Sequence, residues 1–243
     1  AWVGRFEKEN LESFVKSLKC EIYAPVKKQE ITFDKISSAS EIHWKNLSDF
    51  PLKQFFFRNK EVLFEFDNGK LREKIPKSVQ RIFFGVRLCD LNAIARQDFL
   101  YIHTNKDPFY KAQREKSILI GYHCNEPVSK YCFCGSMNLG EFYDAMFFEK
   151  DGYFLVEVKS REAEKILKKF LKKTDETISK KDREIDSDRL KKKDIKNLYN
   201  HKDWKKASER CLSCGVCTVM CPMCYCHEIK DEVSLTNVQK GKR

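Results

Sequence analysis

Near the C-terminal end, in the stretch CLSCGVCTVMCP, Cys211, Cys214, Cys217 and Cys221 stand at x2, x2, x3 spacing with Pro222 directly after. A cubane of iron and sulfide takes thiolate sulfur at the corners of a tetrahedron, and three cysteines two residues apart on one tight loop reach three corners of a single cluster. The cysteine before the proline follows where the chain has already turned away into a helix, and in runs of this spacing it ligates a second cluster. Only one such run is present. The fourth ligand for Cys211, Cys214 and Cys217 must then come from elsewhere, and Cys224 and Cys226 are the nearest spare thiols.

A second set of cysteines becomes visible only through topology. Cys89 lies just past an apolar strand pattern over Ile82 to Val86, and Cys124 just past another over Ser117 to Gly121. If these strands are parallel neighbours, both thiols emerge at the carboxyl edge of the sheet, where open α/β folds place their ligands. Cys132 and Cys134 belong to the loop leaving that edge, so the four thiols form a candidate site for an iron-sulfur cluster or zinc. Asp90, beside Cys89, reads as a helix N-cap, and Cys20 as an apolar filler.

The elements that must position these groups follow from periodicity. Leu11, Phe14, Val15 and Leu18 repeat at helical spacing after Asn10, a candidate cap. Val62 to Phe66, followed by Asp67, Asn68 and Gly69, reads as a strand entering a tight turn. Between the two apolar strands, Leu91, Ala93, Ile94 and Phe99 follow a helical pattern, which makes a parallel βαβ unit. Ala145 to Phe148 and Phe154 to Val158 form a hairpin around Asp151 and Gly152, and Ile166, Leu167, Phe170 and Leu171 mark a further amphipathic helix. The predicted fold is an α/β (α+β) domain over residues 1–172, a charged connector over 173–199 and a partial α-helical, ferredoxin-like iron-sulfur domain over 200–243, entered by a helix that Asp203 caps.

Composition narrows the function classes. Eleven cysteines with no signal peptide point to a reducing compartment, the cytoplasm, in which thiols hold metal rather than pair as disulfides. No apolar run approaches the length of a membrane helix. The net charge of +11 reads as a solvated surface, since Glu162, Asp182, Glu184 and Asp186 are interleaved with the lysines. The competing reading from another class is a zinc-binding structural or nucleic-acid-binding module built on Cys211, Cys214 and two later thiols, with lysines on phosphate. Cys217, Cys221 and Cys224 also show the x3, x2 spacing of radical chemistry with S-adenosylmethionine, but too little chain follows them to hold the cosubstrate. No catalytic residues are assigned: there is no phosphate loop, nucleophile motif or dinucleotide glycine fingerprint, and His43, His103, His123, His201 and His227 are scattered.

Five stretches together carry a family resemblance: FGVRLCDLNAI (Phe84 to Ile94), DPFYKAQRE (Asp107 to Glu115), IGYHCNEP (Ile120 to Pro127), CFCGSM (Cys132 to Met137) and CLSCGVCTVMCPMCYC (Cys211 to Cys226). From about Lys8 onward the chain resembles the beta subunit of cytoplasmic nickel-iron hydrogenases, the sulfhydrogenases, and its relative among the subunits of anaerobic sulfite reductase. The resemblance implies two 4Fe-4S clusters in the full-length protein, with Cys211, Cys214 and Cys217 on one and Cys221 on the other. It implies electron transfer between a flavoprotein subunit that binds FAD and NAD(P) and a catalytic hydrogenase or siroheme sulfite reductase subunit. It gives no role to nucleic acid or to an integral membrane segment. The family's second cysteine run is expected some tens of residues beyond Arg243, so the chain reads as a fragment. Leu88 stands where the family has proline, and Asn138 to Gly140 depart from its Gly- and Thr-rich pattern; neither change removes a ligand.

Overall fold

Alternate residues of the central strands feed two cores. Ile82, Phe84, Ile118, Ile120 and Phe147 belong to one, while Phe83, Leu119, Met146 and Phe148 belong to the other. Strands buried on both faces read as continuous apolar runs, which explains the sequence pattern. The computed structural model describes residues 2–191, 193–237 and 239–243.

The strands, in chain order, are β1 (Trp2–Glu7), β2 (Glu21–Lys27), β3 (Ile31–Lys35), β4 (Phe64–Asp67), β5 (Lys70–Glu73), β6 (Arg81–Val86), β7 (Ser117–Tyr122), β8 (Ala145–Glu149), β9 (Tyr153–Val158), β10 (Leu171–Lys172), β11 (Glu232–Val233) and β12 (Lys240–Lys242). An eight-stranded mixed sheet has the order β10-β1-β9-β8-β7-β6-β2-β3. Strands β2, β6, β7 and β8 run parallel at its centre, and antiparallel strands flank them. The helices are α1 (Leu11–Ser17), α2 (Leu88–Asp98), α3 (Pro108–Arg114), α4 (Cys134–Met137), α5 (Arg161–Leu167), α6 (Lys180–Arg183), α7 (Lys202–Ser208) and α8 (Val216–Met220). Phe14 and Val15 of α1 and Ala163 and Leu167 of α5 pack on one face of the sheet; Leu91 and Ile94 of α2 and Tyr110 of α3 pack on the other. The result is a three-layer α/β architecture.

Local details depart from the periodicity. Asn10 precedes α1, but its side chain makes no capping bond. Asp90 is not the cap of α2; the helix begins at Leu88 after Arg87, which puts Asp90 inside the first turn. His201, rather than Asp203, caps α7. The pattern at Ile166 to Leu171 ends early as helix, because α5 stops at Leu167 and Leu171 pairs with Phe6 at the sheet edge. The predicted turn after β4 forms with Asn68 and Gly69 both left-handed, the geometry a two-residue hairpin requires.

Residues 200–243 are less helical than expected. Among the described residues, helix there is confined to α7 and α8, and the stretch after the cysteine run forms β11 and β12. Strand β12 pairs with β4, completing a second sheet of order β11-β12-β4-β5. A Cβ at Gly241 would lie 2.4 Å from the Glu232 carbonyl oxygen and 2.5 Å from Phe66, so this three-strand contact needs a glycine. The charged connector also has fixed contacts. Arg183 donates to Glu157 at 2.9 and 3.1 Å and to the Tyr143 hydroxyl at 3.0 Å, and Ser187 accepts from the Gly135 N–H at 2.9 Å.

Burial would raise the Glu157 carboxyl, but the hydrogen bonds from Arg183 and Tyr143 outweigh it and hold the group below its ordinary value. A carboxylate with a depressed folded pKa contributes stability above its unfolded value of about 4.5 and loses it as pH falls through the folded value. Arg183→Met is therefore expected to cost about 3 kcal/mol at pH 7 by leaving the buried Glu157 carboxylate without its guanidinium partner, with only the Tyr143 hydroxyl still bonded to it. The cost should shrink in acid, which urea denaturation at pH 7 and pH 3.5 would measure; an equal cost at both would contradict this ion pair.

Candidate functional site

The cysteine run lies on a loop shaped by two left-handed residues, Ser213 (φ 54°) and Gly215 (φ 74°), on either side of Cys214. Alternation of this kind turns successive backbone N–H groups toward a common concavity, the arrangement found at many anion and iron-sulfur sites. Gly215 then starts α8, which carries Cys217 in its first turn and ends at Cys221, whose N–H donates to the Cys217 carbonyl at 3.1 Å. Cys211, Cys214, Cys217 and Cys221 are all exposed. The two spare thiols are close by. A backbone hydrogen bond from Cys226 lowers the Cys224 thiol, and its thiol bond with Cys226 acts in the same direction. Cys226 is raised, first by that bond with Cys224, and the Cys217 thiol adds to the shift. Cys217, Cys224 and Cys226 are thus neighbours, so a loop of thiols with turned-in amides fits a thiolate-ligated cluster.

Two buried side chains of the α/β domain hold this loop. Lys53, only 7% exposed, donates through Nζ to the carbonyl oxygens of Thr218 at 2.6 Å and Cys224 at 3.1 Å. Gln97, near the end of α2, donates to the Pro222 carbonyl at 3.2 Å. A buried ammonium at the end of α8 meets the negative end of the helix dipole and sits on both sides of Cys221 in sequence. The amino-acid pattern gives no sign of either residue: Lys53 lies in a single 3-10 turn, Leu52–Phe55, and Gln97 looks like one more polar position on a helix. His227, a possible cluster neighbour from its place after Cys226, instead sets its ring edge-on against Phe57 at 5.7 Å.

The second set of thiols gathers at the opposite end of α2. Strands β6 and β7 are parallel neighbours, with Phe84 opposite Ile120. A bulge at Gly85 (φ 81°) shifts the register between Phe84 and Val86 and turns the end of β6. Beyond it come Arg87 and then Cys89; beyond β7 comes Cys124; Cys132 and Cys134 close the following loop. The thiols of Cys89 and Cys134 are hydrogen-bonded to each other. That bond, followed by burial, pushes Cys89 far up, whereas the same bond brings Cys134 down to about 7. Burial raises Cys124, which also feels Cys132 and Cys134, and the Arg87 guanidinium opposes the rise. Asp90, pushed up to about 6 by burial, lies alongside. Cys20 packs against the first core, away from this edge.

Among the described residues, no group of three His, Cys, Asp or Glu side chains stands ready to hold a single metal ion. No helix of the described residues is long and apolar enough to cross a membrane.

Comparison with known proteins agrees with this chemistry. A 4Fe-4S dicluster domain family matches residues 210–243. Sulfhydrogenase 2 subunit beta of Pyrococcus furiosus is 29% identical over 230 residues, which cover 86% of this chain and 68% of the relative. No solved structure matches significantly. The 4Fe-4S match spans the whole cysteine run and the relative is aligned over most of the chain, so this chain is similar to the sulfhydrogenase beta subunits and carries a stretch like the 4Fe-4S dicluster domains.

Proposed function

We propose that this chain is an electron-relay subunit of a multisubunit oxidoreductase in the cytoplasm. It passes single electrons between a flavoprotein subunit that handles FAD and NAD(P) and a catalytic hydrogenase or siroheme sulfite reductase subunit. The observation that carries this reading is the cysteine run Cys211, Cys214, Cys217 and Cys221 within a stretch that matches a 4Fe-4S dicluster domain. Cys211, Cys214 and Cys217 hold one cluster, and Cys221 ligates the second. Cys224 or Cys226 is placed to complete the first. The α/β domain (1–172) and connector (173–199) act as the platform, and residues 200–243 carry the clusters.

A bound 4Fe-4S cluster supplies reversible one-electron chemistry. The chain's residues supply the thiolates, the amide concavity around Cys214 and the positive charge of Lys53 beside Cys221. Hydrogen bonds, net charge and exposure set the potential of such a site. The exposed apolar side chains Leu212, Val216, Val219, Met220, Met223 and Tyr225 surround the run, which suits a face that meets a partner subunit.

Cys214→Ala is expected to lower iron and sulfide by about four each per chain. It should also reduce electron flow from reduced flavoprotein to the catalytic subunit to background, with the circular dichroism of the α/β domain unchanged. Undiminished electron flow, or zinc without sulfide in the unaltered protein, would overturn the proposal. Lys53→Met removes a buried positive charge that favours the reduced cluster. A redox titration followed by electron paramagnetic resonance should show a negative shift on the order of tens of millivolts, with Lys53→Arg close to the parent. An unshifted potential in Lys53→Met would separate this lysine from the cluster.

A further inference from the structure

The edge of the parallel sheet carries a cysteine site of its own. Its four thiols come from three places in the chain: the first turn of α2, the end of β7 and the loop entering α4. All four are half-buried rather than exposed or lost in the core. Free cysteines that act as apolar filler are inert and need no donors around them. These sulfurs have donors. The Arg87 guanidinium donates to the Cys124 sulfur at 3.5 Å, and the Ser129 N–H donates to the Cys132 sulfur at 3.3 Å. N–H groups directed at sulfur stabilise sulfur that carries negative charge, as at thiolate-ligated clusters.

Arg87 is the second observation. It is 6% exposed, lies over the Tyr122 ring at 4.5 Å and donates to the Trp44 carbonyl, yet it forms no ion pair with a carboxylate among the described residues. Its charge is felt by the Asp90 and Glu149 carboxyls nearby, yet its side-chain hydrogen bonds go to the Trp44 carbonyl and the Cys124 sulfur. A negatively charged, thiolate-bound group at this edge would be stabilised by the hydrogen bond from Arg87 to Cys124.

The kind of group follows from the spacing. A structural zinc ion draws four thiolates to about 2.3 Å from one point. These thiols are neighbours, but they do not converge at single-ion spacing. A cubane binds each thiolate at a different iron and tolerates a wider set.

We propose that Cys89, Cys124, Cys132 and Cys134 ligate an iron-sulfur cluster of the cubane type at the carboxyl edge of β6 and β7. This site is separate from the C-terminal run. Helix α2 spans the gap: Cys89 is in its first turn and Gln97, in its last, touches Pro222, a separation of roughly 12 Å along the helix axis at 1.5 Å per residue. The proposal needs no ligand from Cys211 to Cys226 and stands or falls apart from the relay function.

The test uses the full chain with Cys211, Cys214, Cys217 and Cys221 all changed to Ser, reconstituted without oxygen with ferrous iron and sulfide and then desalted. About four irons and four sulfides per chain should remain, with broad visible absorption. Adding Cys134→Ser should remove them, while adding Cys20→Ser should not. Retention of less than one iron by the folded quadruple variant would overturn the proposal, as would iron that survives Cys134→Ser. Should the quadruple variant fail to fold, Cys89→Ser with Cys134→Ser in the otherwise unaltered chain decides the matter. Its iron should fall by about four with the C-terminal signal kept, and unchanged iron rejects the site. Zinc bound without sulfide, after reconstitution with both metals present, also rejects it.

Discussion

Parallel pairing of β6 with β7 is the constraint on which the rest of this protein depends. It brings Cys89 and Cys124, far apart in sequence, to one sheet edge, and it sets the origin of α2 there. The pairing is held by burial on both faces. Ile82, Phe84, Ile118 and Ile120 face α1 and α5, and Phe83 and Leu119 face α2 and α3, all nearly inaccessible to water. A slip by one residue would exchange the two sets and break both cores at once. The bulge at Gly85 fits the same logic. A side chain there would meet the Pro25 ring at 3.3 Å with the backbone left-handed, so the kink that re-aims the chain toward Arg87 and Cys89 needs glycine.

Helix α2 connects this edge with the C-terminal segment. Its first turn carries Cys89 and its last turn offers Gln97 to the Pro222 carbonyl, so the same rod serves both sets of thiols. Lys53 adds the stronger anchor. A lysine is seldom buried without compensation, and this one meets two carbonyl oxygens at the end of α8. The C-terminal strands add backbone pairing between β12 and β4, which joins residues 240–242 to a hairpin formed much earlier in the chain. Through these contacts the α/β domain becomes a scaffold for the cysteine run, and the Arg183 to Glu157 pair does the same for the connector.

Much of the fold was legible in the residues because apolar runs bounded by turn residues have few alternatives. Strands β6 to β9, the turn at Asn68 and Gly69 and the helix after β6 all lie where their patterns put them. Caps were less legible. Asn10 and Asp90 have the side chains that cap helices, yet Asn10 ends a 3-10 turn with helical backbone angles and makes no capping bond, and Asp90 lies inside the first turn of α2. The C-terminal segment reads as helical from its cysteine spacing, but β11 and β12 form because β4 offers a free edge, which no local pattern records.

The amino-acid sequence by itself determined the chemistry of the C-terminal run, since three thiols at x2, x2 spacing are brought together by a few backbone angles within one loop. It also determined the layered α/β class, through the period of its apolar residues. Tertiary structure alone decided that Cys89 and Cys134 are neighbours, that Arg87 reaches Cys124 and that Lys53 holds the end of α8 and the Cys224 turn. Those contacts join residues tens to more than a hundred positions apart. Their existence depends on strand order and register, which are properties of the packed sheet and not of any window along the chain.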